Sequence, residues 1–80
     1  MKAKIHITLK NGVLDPQGRA IAGALSNMGF DGVEDVRQGK YIELEVSETD
    51  RKKAEAMVQK MCEGLLANTV VENYKFELAE

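Results

Sequence analysis

The chain has 80 residues, a formal net charge of -2, one cysteine and one histidine. Those figures exclude an internal disulfide, leave no basic excess for nucleic acid, and argue against a structural zinc site. No apolar run approaches the ~20 residues of a membrane span.

At this size residues 1–80 form a single domain. A chain so short buries only roughly 60–65 % of its unfolded surface, and such a core supplies about 3–5 kcal/mol. Without disulfide or metal, the expected supplement is self-association or a larger partner. The N-terminus, Met1-Lys2-Ala3-Lys4-Ile5, has no signal-peptide core. A lone reduced thiol points to the cytoplasm.

Ala3 to Lys10 alternates strictly, with Ile5, Ile7 and Leu9 on one side and Lys4, His6, Thr8 and Lys10 on the other, which is the pattern of a half-buried strand. His6 falls on the polar side as a solvated or cross-strand histidine. Asn11-Gly12-Val13-Leu14-Asp15-Pro16-Gln17-Gly18 then turns strand into helix. Gly12 supplies a φ > 0 turn, Leu14 a staple residue, Asp15 the N-cap and Pro16 the first helical position.

The helix is expected from Asp15 to Met28, with a stripe of Ile21, Ala24, Leu25 and Met28, closed by Gly29 in the left-handed conformation with Phe30 folding back on Leu25. Gly23 interrupts it, at a cost of about 0.5–1 kcal/mol relative to alanine. It is either a tolerated surface glycine or, with Ala20, Ala24 and Asn27, a strip for close approach of another helix or subunit.

Gly32 to Arg37 and Lys40 to Val46 read as two strands joined by a tight turn at Gln38-Gly39. That hairpin sets Val33 opposite Leu44 and Arg37 opposite Lys40. Two like charges face to face are unfavourable; either the two long side chains splay into water, or a carboxylate, a phosphate or an acidic partner surface relieves them. Ser47 to Asp50 offers several N-caps for a second helix running to about Ala67, its stripe being Ala54, Met57, Val58, Met61 and Leu65. Cys62 beside that stripe reads as a buried, inert thiol. Asn68 closes the helix in the left-handed region, and Val70 to Leu78 is the last strand, with Tyr74, Phe76 and Leu78 on one face.

The order strand, helix, strand, strand, helix, strand is ferredoxin-like. It predicts an α+β domain with a four-stranded, mostly antiparallel sheet, both helices on one face, and an open face available for association. Chemistry is harder to find. Gly12 and Gly18 have no Gly-Lys-Ser/Thr after them, so they do not make a phosphate-cradling loop. Cys62 has no neighbouring histidine to activate it and no second cysteine for a metal. The first strand has no aromatics for base stacking, and no pair of groups is spaced for acid–base work. The residues alone describe a small assembling domain.

Three segments together resemble the PurS family: Lys10 to Gly18 followed by Ala20-Ile21, Val33 with Val36 to Leu44, and Met61-Cys62 with Leu65 to Tyr74. The chain departs from the family pattern at Thr69, where Pro commonly follows the asparagine. The resemblance implies the small, non-catalytic subunit of phosphoribosylformylglycinamidine synthase in purine biosynthesis, present as a homodimer or tetramer. Its implied partners are a synthetase subunit, which would carry ATP and Mg, and a glutaminase subunit. It would join them and help keep ammonia dry and nucleophilic, with no cofactor in this chain, no nucleic acid and no membrane. The residues expected at partner interfaces are Asn11, Gly12, Asp15, Pro16, Gln17, Gly18, Arg37, Gly39 and Lys40, with Asn68 and Tyr74 equally explicable as cap and core. A rival expectation for the same element order is a small-molecule-sensing regulatory domain that binds its ligand at a dimer interface.

Overall fold

A computed structural model describes residues 1–80. Strand β1 (Lys2–Leu9) is followed by helix α1 (Pro16–Asn27), strand β2 (Gly39–Glu45), helix α2 (Arg51–Met61) and strand β3 (Glu72–Ala79). Alternation in β1 does what the sequence requires of it: Ala3, Ile5 and Ile7 are completely buried. β1 takes the centre of the sheet, in the order β2-β1-β3, and both pairings are antiparallel.

The sheet has three strands, not the expected four. Residues 33–37 form no strand, because Val33 and Val36 are three apart and do not alternate. The backbone there is used otherwise, as set out below for Val36 and Gln38. The expected hairpin is therefore absent. β2 pairs with β1, which sets Leu44 opposite Ala3, Ile42 opposite Ile5 and Lys40 opposite Ile7. Gly39 is the first residue of β2 rather than a turn residue. It is there because a Cβ would meet the Ile7 carbonyl oxygen at 2.2 Å.

α2 packs on one face of the sheet. Asp50 caps it, accepting from the backbone N–H groups of Lys52 and Lys53. Its buried stripe is Ala54, Val58 and Cys62, four residues apart throughout. Met57 and Met61 lie at its half-exposed edge, and Leu65 is 84% exposed, outside the core where the sequence had placed it. The reason is a π-helical turn over Cys62–Leu66, in which Ala67 N–H donates to the Cys62 carbonyl at 2.9 Å. One extra residue per turn rotates Leu65 out and brings Ala67 into the core. Asn68 does not adopt the left-handed region, since no non-glycine residue has positive φ. Ala67 ends the helix by turning extended. Asn68 then makes a local turn, its side-chain oxygen accepting from Val70 N–H and its carbonyl from Glu72 N–H. β3 consequently starts at Glu72, two residues later than expected. Tyr74, Phe76 and Leu78 do share its core face.

α1 departs most from expectation. Its ends are as read: Asp15 caps, Pro16 opens, and Gly29 (φ 94°) closes a Schellman ending with Phe30 N–H donating to Leu25 and Gly29 N–H to Ser26. The helix does not join α2 on the sheet. Its single buried residue is Gly18, and it gives nothing to the hydrophobic core. Met28 is 70% exposed, Phe30 55% and the staple residue Leu14 63%. The chain measures 49 × 26 × 14 Å with a radius of gyration of 16.0 Å, against about 12 Å for a compact domain of this length. Residues 10–38 are an arm standing out from a three-stranded sheet.

Candidate functional site at the neck of the arm

The arm joins the sheet where the chain leaves β1 and returns to β2, and most of the residues singled out from sequence meet there. Gly12 takes φ 85°, and Val13 N–H donates to the Lys10 carbonyl at 3.1 Å, so the outgoing chain reverses sharply. Asp15 is only 8% exposed. One of its carboxylate oxygens accepts from Gly18 N–H at 2.9 Å, the ordinary N-cap bond; the other accepts from Gln38 N–H on the returning chain, also at 2.9 Å. Those backbone donors, Gln38 foremost, hold the Asp15 carboxyl below the usual carboxylate range, with the Arg37 charge assisting.

Arg37 makes the converse connection. Its guanidinium donates to the carbonyls of Leu9 and of Lys10, the latter at 2.9 Å. Arg37 and Lys40 are not opposed across a hairpin, so the like-charge argument for an acidic partner group does not apply. The ammonium of Lys40 instead lies 3.6 Å from the Glu72 carboxylate. Glu72 also accepts from Asn68 N–H at 2.7 Å, which ties the Asn68 turn to the start of β2.

Gly18 is required by packing. A Cβ there would meet the Val36 carbonyl oxygen at 2.3 Å and an Asp15 carboxylate oxygen at 2.8 Å. Two open clefts flank the neck. One, of about 360 Å³, lies between the Gly12–Asp15 turn, Arg19 and residues 35–37. The other, of about 280 Å³, includes Gln17, Gly39, Lys40 and Glu72. Asn11 is exposed beside them.

Tyr74 stands apart from this cluster. It packs against the core, and its hydroxyl donates to Glu63 at 3.1 Å. Burial, more than the Glu63 carboxylate, pushes its pKa up. On the opposite face of the sheet His6 lies directly across from Tyr41, ring centroids 4.9 Å apart and tilted by 45°. The Tyr41 hydroxyl donates to Glu43 at 3.2 Å. No three His, Cys, Asp or Glu side chains converge as metal ligands, and no helix is long and apolar enough to cross a membrane.

Sequence reasoning missed Val36, Gln38, Glu63 and Glu72. Val36 and Gln38 act through backbone atoms, which no side-chain pattern reports. Glu72 was readable only as one residue of a strand.

What fold and neck define is a small α+β chain with two helices, a three-stranded antiparallel sheet and an outstanding arm. The family model for PurS, phosphoribosylformylglycinamidine (FGAM) synthase, matches residues 2–80. The chain is 49% identical over 79 residues to the phosphoribosylformylglycinamidine synthase subunit PurS of Bacillus subtilis, covering 99% of this chain and 93% of that protein. The solved structure of B. subtilis PurS superimposes with a TM-score of 0.89, covering 99% of this chain and 98% of that one. A chain in the structure of PurLQS from Thermotoga maritima gives 0.87 at 38% identity, covering 95% and 93%. The chain belongs to the PurS family.

Proposed function

We propose that this chain is the small subunit of FGAM synthase in purine biosynthesis, joining an ATP-dependent synthetase subunit to a glutaminase subunit and helping to enclose the passage of ammonia between them. The observation that carries this reading is likeness along the whole chain to PurS, including to a chain seen in a PurLQS structure. ATP and magnesium then belong to the synthetase, and this chain contributes surface rather than reactive groups. The site of action is the cytoplasm, and residues 1–80 act as one domain.

Self-association is part of the proposal. The chain exposes 5835 Å², whereas a compact monomer of 8.8 kDa exposes about 4,800 Å². The surplus of about 1,000 Å² is comparable to the roughly 800 Å² that one partner contributes to a standard interface. Ile21, Met28 and Phe30 on the arm, with Met57 and Met61 along α2 and Leu65 on the π turn after it, supply apolar surface for it. A second copy laying its α1 against α2 would restore in trans the layer of two helices that the ferredoxin-like order predicts. The neck residues Asn11, Gly12, Asp15, Pro16, Gln17, Gly18, Arg37, Gly39 and Lys40 then shape the surface offered to the larger subunits, with Asn68 tied in through Glu72. Tyr74 is the weakest of these interface assignments.

Sedimentation of the chain alone, then with the matching synthetase and glutaminase, tests the reading. A dimer or larger species alone, and one complex containing all three subunits, are expected. A monomer at every concentration that leaves the other two subunits unassociated would overturn it.

A further inference from the structure

The face of the sheet turned away from α2 carries the alternate side chains of all three strands, and its charges are unevenly spread. The register sets Lys2 opposite Glu45 and Lys4 between Glu43 and Glu77. Glu43 also lies 3.9 Å from the Lys2 ammonium and accepts from the Tyr41 hydroxyl. Lysines and carboxylates are therefore intermixed over that half. The half towards the neck is built differently. Thr8 stands opposite Asn73 there and His6 opposite Lys75. These four side chains, with Tyr74, line an open pocket of about 270 Å³ that no acidic residue enters.

The backbone sets their spacing. Lys10 N–H donates to the Val71 carbonyl at 2.8 Å, and alternation along an antiparallel ladder then makes Thr8–Asn73 and His6–Lys75 hydrogen-bonded pairs, about 5.5 Å apart at Cα. Two residues along a strand span about 7 Å. Four donor-bearing side chains thus rise from the corners of one small rectangle. None is engaged within the chain. The ion pairs are Lys2–Glu43 and Lys40–Glu72, so the Lys75 ammonium has no carboxylate partner. The Thr8 hydroxyl, the Asn73 amide and the His6 ring make no internal hydrogen bond. Tyr41 backs His6 on its other side, ring centroids 4.9 Å apart. The Thr8 methyl leans towards Gly39, 2.8 Å from where a Cβ there would stand, which turns the hydroxyl away from β2.

We propose that this pocket binds the phosphate group of a small phosphate monoester, with the Lys75 ammonium supplying charge and Thr8, Asn73 and His6 supplying further hydrogen-bond donors. A phosphate presents three strong acceptor oxygens, which donors rising on several sides can share, whereas a carboxylate presents two in one plane. At about 270 Å³ the pocket falls below the roughly 300–1,000 Å³ that holds a whole drug-sized ligand, so it takes the charged end group and leaves the rest in water. The face lies away from α2, against which the second copy is placed, and the inference does not rest on the subunit role proposed above.

Titration of the isotope-labelled full-length chain with methyl phosphate, inorganic phosphate and acetate, at constant ionic strength, tests it through backbone amide shifts. Both phosphates are expected to move the His6, Thr8, Asn73 and Lys75 amides saturably, and acetate to bind about tenfold more weakly or worse. Lys75→Gln should weaken methyl phosphate about tenfold or more, as loss of a charged hydrogen-bond partner does. Thr8→Val, which keeps the methyl group and loses the hydroxyl, should weaken it severalfold. Lys4→Gln removes the same charge from the same face outside the pocket and should leave affinity within about twofold. Absence of saturable shifts at the four amides would overturn the inference. Acetate binding as tightly as methyl phosphate would overturn it too. So would equal losses in Lys4→Gln and Lys75→Gln, because the general field of the face, not the pocket, would then attract the anion.

Discussion

Replacing Gly18 by alanine sets two rules against each other. Gly18 is the third residue of α1, and an exposed helical glycine changed to alanine gains about 1 kcal/mol in propensity. At this position the added methyl group would lie 2.3 Å from the Val36 carbonyl oxygen and 2.8 Å from an Asp15 carboxylate oxygen. Neither neighbour can yield freely, because the first is backbone and the second accepts from Gln38 N–H while its carboxylate's other oxygen accepts from Gly18 N–H. Overpacking of this kind costs about 1–3 kcal/mol, and a clash with backbone belongs in the upper half of that range. The net expectation from those two terms is destabilisation by about 1–2 kcal/mol, with faster amide exchange at Gln38. Gly23 is the internal control, since a Cβ there meets nothing within 4 Å; Gly23→Ala should stabilise the isolated protomer by about 0.5–1 kcal/mol. Urea unfolding of both variants, repeated at several protein concentrations, measures the two effects. A Gly18→Ala variant as stable as Gly23→Ala would refute the packing assigned to the neck.

Three further expectations concern the rest of the chain. Val58 is completely buried against the sheet, and Val58→Ala removes two carbon groups from the core, so unfolding should cost about 2 kcal/mol less while the family's complex still forms at low temperature. Burial pushes the Cys62 thiol above its ordinary pKa; it should resist thiol reagents in the folded chain and react at the rate of a free thiol once denatured. Asp15 has a folded-state pKa below its unfolded value near 3.8, so its stabilising contribution is complete above that value and lost as pH falls from there through the folded pKa. Acid titration of the Gln38 amide exchange rate should show this weakening below about pH 4 in the wild type, and not in Asp15→Asn.

The parts of the fold that obey local rules were legible. The alternation of β1, the Asp15-Pro16 start, the Gly29 ending, the core face of β3 and the buried thiol all follow from side-chain pattern and backbone preference. What failed was the placing of elements relative to one another. Gln38-Gly39 looks like a hairpin turn, but the glycine is demanded by a close approach to Ile7, a long-range cause that adjacent residues do not announce. The stripe containing Leu65 assumed a continuous α-helical period, and one π turn broke it. The position of α1 was misjudged because an amphipathic helix states that its apolar face needs covering without saying whether this chain covers it. The neck was found through the Asn11 to Gly18 motif and Arg37, whereas the grip of Asp15 on Gln38 was not, since a backbone N–H has no sequence signature. Arg37 was legible as a neck residue, but the backbone carbonyls of Leu9 and Lys10 that its guanidinium reaches were not, for the same reason.

The most direct test compares two nitrogen sources for the same synthesis. Synthetase and glutaminase are assayed with and without this chain, once with free ammonia and once with glutamine. If the chain joins the subunits and encloses the path between them, omitting it spares synthesis from ammonia and abolishes synthesis from glutamine. Glutamine-driven synthesis that runs at full rate without it would contradict the account.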